Sequence, residues 1–72
     1  MKMEEVQDAL RHWGEILATT SAGETYELHL GDTSFDFDRR IIRLKSPEAE
    51  YLIGGDEIAS VTMHYGRRME AH

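Results

Sequence analysis

The spacing of apolar residues changes period once along this chain, and that change restricts the fold more than any other feature. Met3, Val6, Leu10, Trp13 and Leu17 recur at steps of three and four, and Ala9 and Ile16 widen the stripe. Such spacing lines one face of a helix and predicts an amphipathic helix over residues 3–18 that buries Trp13. Glu4, Glu5 and Asp8 lie in its opening turns, where the positive end of the helix dipole favours them. Gly14 interrupts the stripe at a cost of up to about 1 kcal/mol relative to Ala. The small polar run from Thr19 to Gly23 ends the helix, and Gly23 suits a left-handed cap. The heptad-like spacing is too brief for a coiled coil, so a helix packed on a sheet is expected.

Beyond Gly23 the period is two. Tyr26, Leu28 and Leu30 alternate with Glu27 and His29, and Phe35 and Phe37 alternate with Ser34, Asp36 and Asp38. These runs predict strands over 25–30 and 34–38, joined as a hairpin at Gly31-Asp32. Asp38-Arg39-Arg40 separates a third strand over 41–45, although one long bulged strand would also fit the shift in parity. Ser46-Pro47-Glu48 and Gly54-Gly55-Asp56 read as turns around a short strand over 50–53. A last strand over 60–65 points Val61, Met63 and Tyr65 inward, and residues 67–72 read as a frayed tail. The expected fold is a single α+β domain. An N-terminal helix packs on a four- or five-stranded antiparallel meander, either open or curled into a small barrel.

Length makes this a fold with little to spare. A chain of 72 residues with 0 Cys has no disulfide or thiolate metal site to reinforce its core. Ile41 beside Ile42, and Leu52 between Tyr51 and Ile53, place apolar groups on both faces of the middle strands. One helix covers one face, so barrel closure or a second surface must cover the other; a homodimer supplies such a surface directly.

Charge narrows the partners. With 14 acidic against 8 basic residues, the net charge of -6 disfavours phosphate backbones as the main target. A local patch from Arg39, Arg40, Arg43, Arg67 and Arg68 is the counter-reading. Phe35, Phe37 and Tyr65 lie near those arginines but fall in phase with the core. The acidic opening lacks an apolar leader, and no apolar run is long enough to span a bilayer, so a cytoplasmic location and no membrane partner are expected.

Three groupings invite chemistry. Gly54-Gly55-Asp56-Glu57-Ile58 resembles the Gly-Gly-Asp-Glu-Phe signature of diguanylate cyclases over five residues, with Ile58 in place of Phe. Domains of that family are more than twice this length and use a further metal-binding carboxylate that is not found here, so the run is read as a turn. Asp32, Asp36 and Asp38 lack the spacing of a calcium loop, and Asp36 and Asp38 could instead pair with Arg40 or Arg43. His29 and His64 would meet if the strands over 25–30 and 60–65 adjoined, and with Glu27 would make a zinc or proton site. His12 and His72 show no ligand spacing with them. The serines lack a nucleophile elbow, and no phosphate-binding loop follows Gly54-Gly55.

The helix followed by short strands is similar, at the level of fold alone, to small RNA-binding barrels of the Sm type. That likeness would imply nucleic-acid binding through Arg39/Arg40 and Arg67/Arg68. The residues themselves point first to a small acidic, non-enzymatic interaction or regulatory module without a cofactor. Its expected partner is a second copy or another protein, met through Ile41, Leu52, Asp36, Asp38, Arg39 and Arg40. A metal-binding protein built on His29 and His64 is the third expectation.

Overall fold

A computed structural model describes residues 1–63; His64, Tyr65, Arg67, Arg68 and the expected tail lie outside the described residues. The helix α1 spans Met3–Trp13, and Met3, Val6 and Leu10 are its buried residues. Glu5 Oε1 accepts the backbone N–H of Lys2 at 2.8 Å. The N–H of Met3 donates to Asp56 Oδ1 at 3.1 Å, so one otherwise orphaned helix donor is satisfied from a distant turn. Gly14 ends the helix at φ 83, and its N–H donates to the Leu10 carbonyl at 2.7 Å.

The helix is therefore shorter than the apolar stripe predicts. Ile16 and Leu17 belong instead to a strand, β1, Glu15–Thr20, in which buried and half-buried residues alternate. Gly14 is the cause: left-handed backbone breaks the helical path, and Ile16, Ala18 and Thr20 then face the core with a period of two. Trp13, at the last helical turn, is 46% exposed rather than buried. Its ring meets His12 edge-on at 4.5 Å.

Five further strands follow: β2 Thr25–His29, β3 Thr33–Asp36, β4 Ile41–Lys45, β5 Glu50–Gly54 and β6 Ile58–Met63. They form two antiparallel three-stranded sheets, ordered β2-β1-β6 and β3-β4-β5. The α+β class holds. The single four- or five-stranded meander does not, because residues 15–20, expected as the end of the helix, form β1 and pair with both β2 and β6 in a sheet of their own, and no barrel closes among the described residues.

The expected hairpin at Gly31-Asp32 is also corrected. β2 pairs with β1 and β3 pairs with β4, so Gly31-Asp32 turns the chain from one sheet into the other. Asp32 Oδ1 accepts the N–H of His29 at 3.2 Å and the Thr33 hydroxyl at 2.9 Å. The Asp32 carbonyl accepts the N–H of Lys45 at 2.9 Å, which ties that corner to β4. Leu30 falls just past β2 and is 55% exposed, not inward. Gly23 is left-handed, at φ 94, but in the β1–β2 turn and not at a helix end.

Both sheets and the helix contribute to one core: Met3, Val6 and Leu10 from α1, Ile16, Ala18 and Leu28 from the first sheet, and Ile42, Leu44 and Ile53 from the second. Ile58, where β6 begins, completes it. The chain reaches β6 through a short 3-10 helix, Gly55–Glu57, where a simple turn was expected. A Cβ on Gly55 would overlap the side chain of Met3, so the absence of a side chain there lets α1 seat against this segment.

Candidate functional site

In an antiparallel pair, hydrogen-bonded and non-hydrogen-bonded residue pairs alternate. The N–H of Gly55 donates to the Arg40 carbonyl at 2.8 Å, and the N–H of Ser46 to the Ala49 carbonyl at 2.8 Å. These contacts bracket the β4–β5 register, in which Ile41 faces Gly54, Arg43 faces Leu52 and Lys45 faces Glu50. The alternation makes Ile42–Ile53 and Leu44–Tyr51 the hydrogen-bonded pairs. Glu50, Leu52 and Gly54 consequently turn their backbone N–H and C=O groups toward the far edge of β5. No described strand is paired on that edge.

Leu52 stands at the centre of this edge and is 62% exposed, and Tyr51 is 41% exposed. The register places Ser34, Arg43 and Leu52 in one row on the outer face, and Asp36, Ile41 and Gly54 in the next. Ile41, half-buried, lies diagonally beside Leu52. The outer face thus joins three expected site residues, Asp36, Ile41 and Leu52. Arg43 Nε lies 3.3 Å from Glu50 Oε2 and neutralises the charge beside the edge. A shallow groove separates Leu52, Ile53 and Gly54 from Ser21, Ala22 and Tyr26 across the edge. Tyr26 meets Tyr51 edge-on at 5.7 Å. Its hydroxyl donates to Glu24 Oε1 at 3.2 Å, and desolvation together with that carboxylate raises the phenol pKa, so it remains a neutral donor.

Asp38, Arg39 and Arg40 lie in the turn between β3 and β4 and do not join that face. Asp38 and Arg39 are exposed. Asp36 Oδ1 accepts the N–H of Arg39 at 3.1 Å, a turn-forming bond within the connection. Arg40 is committed elsewhere. Its guanidinium donates to Glu4 at 2.8 and 3.0 Å and to Asp56 at 3.0 and 2.7 Å, a two-sided fork rather than the hairpin pair with Asp36 or Asp38 expected from the sequence. The Arg40 hydrogen bonds hold the carboxyls of Glu4 and Asp56 at about 2 and raise the guanidinium pKa further. The Arg40 guanidinium is thereby engaged by two carboxylates of its own chain. The Gly54–Glu57 run has the same structural cast, since Asp56 caps α1 and holds Arg40.

His29 does not approach β6, because β2 and β6 flank β1 on opposite sides. Its neighbours are Glu15, Glu27 and Asp32. Glu15 is not among the candidates the sequence offers, and Asp32, grouped there with Asp36 and Asp38, lies instead beside His29. The cross-strand partnership of Glu15 with His29 required β1, which the helical stripe concealed. No helix among the described residues is long and apolar enough to cross a membrane. Comparisons with protein-family models, curated proteins and solved structures gave no match to this chain.

Proposed function

We propose that this protein is a small non-enzymatic interaction module that associates with a second copy of itself through the far edge of β5. The observation that carries this reading is a strand edge, paired with no described strand, whose central residue, Leu52, is both apolar and exposed. Sheet edges are commonly defended by charge, proline or shortness, and the Tyr51-Leu52-Ile53 centre of β5 has none of these.

A second copy fits that edge better than an arbitrary strand. An antiparallel two-fold pairing centred on Leu52 sets Leu52 against its counterpart, Tyr51 against Ile53, and Glu50 against Gly54. The apolar residues then meet one another and no like charges stand opposite. The three edge-facing residues on each strand exchange backbone hydrogen bonds in that register. Such a contact is smaller than the roughly 1,200 Å² or more of a stable interface, so the dimer should form reversibly and dissociate on dilution.

Replacing Leu52 by Lys would set two ammonium groups against each other at the two-fold. Sedimentation equilibrium should show the native chain passing from monomer to dimer as concentration rises, and Leu52→Lys remaining monomeric with an unchanged melting temperature. A native chain that is monomeric throughout would end this reading.

A further inference from the structure

We propose that Glu15, Glu27 and His29 form a site for one divalent transition-metal cation of the zinc class on the outer face of the β2-β1-β6 sheet. One donor atom from each of the three lies within 4.8 Å of the other two. His29 Nε2 stands 3.4 Å from Glu27 Oε2 and 3.7 Å from Glu15 Oε2. Two ligands bound to zinc at about 2.1 Å and at tetrahedral angles lie about 3.4 Å apart. The cluster therefore has the span of a metal-binding set, needing only small side-chain adjustment.

The backbone builds this arrangement. Glu15 and His29 are direct cross-strand partners in β1 and β2, and Glu27 lies two residues before His29 on the same face. A regular ladder thus holds all three, whereas residues on a loop would be positioned less closely.

A separate feature bears on the ligand. The other ring nitrogen of His29, Nδ1, lies 3.4 Å from Asp32 Oδ2. A carboxylate beside the distal nitrogen fixes the imidazole tautomer and turns the opposite lone pair toward a metal. Asp32 is held in place through its other oxygen by the His29 N–H and the Thr33 hydroxyl. Asp32 is a positioning residue here and not a ligand. Three protein donors leave a fourth position for water or an exchangeable ligand.

The same three side chains could form a hydrogen-bonded cluster without a metal, and the test separates the two cases. Zinc chloride is titrated by calorimetry into the full chain, without an affinity tag, alongside His29→Ala and the double variant Glu15→Gln/Glu27→Gln. The melting temperature is followed with and without zinc. The proposal expects one zinc per chain and a rise in the native melting temperature, both lost in each variant. Asp32→Asn should keep the stoichiometry and weaken affinity by about tenfold or more. Absence of heat and of any melting shift in the native chain would overturn the proposal, as would equal binding by the variants. If His29→Ala fails to fold, the charge-neutral double variant decides.

Discussion

Arg40 joins distant parts of the sequence with one side chain. It adopts left-handed backbone, at φ 58, and reaches Glu4 at the start of α1 and Asp56 in the 3-10 helix. Asp56 also accepts the N–H of Met3, so the same carboxylate serves the helix terminus and the guanidinium. The sign of the pH response follows from these contacts. The Glu4 and Asp56 carboxyls ionise at about 2 in the folded chain, below their ordinary values of 4.5 and 3.8. Lowered values mean that the stabilisation is present above pH 4 to 5 and is lost as pH falls toward 2. Arg40→Met should flatten the fall of melting temperature between pH 5 and pH 2 relative to the native chain. Any penalty for a side chain in left-handed backbone is shared by Met and Arg, and so cancels from the slope. Parallel acid limbs in the two proteins would contradict the assigned network.

At the scale of elements, Gly14 decides where the helix stops and the sheet starts. Its φ of 83 is costly for any residue with a Cβ, although nothing lies within 4 Å of where that Cβ would be. Gly14→Ala should therefore lower the unfolding free energy by about 1–2 kcal/mol through backbone strain alone. Gly31 is equally open but not left-handed, so Gly31→Ala should leave stability unchanged or slightly raised. Urea titrations of both variants check the contrast; an equal response would remove the role given to Gly14. The same glycine marks how far the sequence could be read. Met3, Val6 and Leu10 announced the buried face of α1, and strand β4 runs over the residues that alternation predicted. Ile16 and Leu17 satisfy both the helical and the strand period, so periodicity alone could not assign them. Gly31-Asp32 signalled a change of direction without specifying whether the flanking strands would pair. The fork from Arg40 to Glu4 spans 36 residues and has no local signature. In the candidate edge, Leu52 and Ile41 were legible as surplus apolar groups. The outward-facing backbone of β5 needed the β4 register to be known.

For the whole molecule, two three-stranded sheets and one helix build a shared core, and of the large apolar residues left exposed, Trp13, Leu30, Tyr51 and Leu52 among them, Leu52 is the most exposed. In the proposed dimer Leu52 faces its own counterpart across a two-fold axis. In a hydrogen-bonded antiparallel pair the facing Cα atoms lie about 5.5 Å apart, within the range a disulfide can bridge. The chain has 0 Cys, so Leu52→Cys introduces a single thiol with nothing inside the chain to pair with. Mild oxidation of this variant, followed by nonreducing electrophoresis, is the most direct measurement. A covalent dimer as the main product from Leu52→Cys, with little from Ala59→Cys at an exposed position on β6, is the predicted result; monomer from both, or equal cross-linking of both, would contradict it.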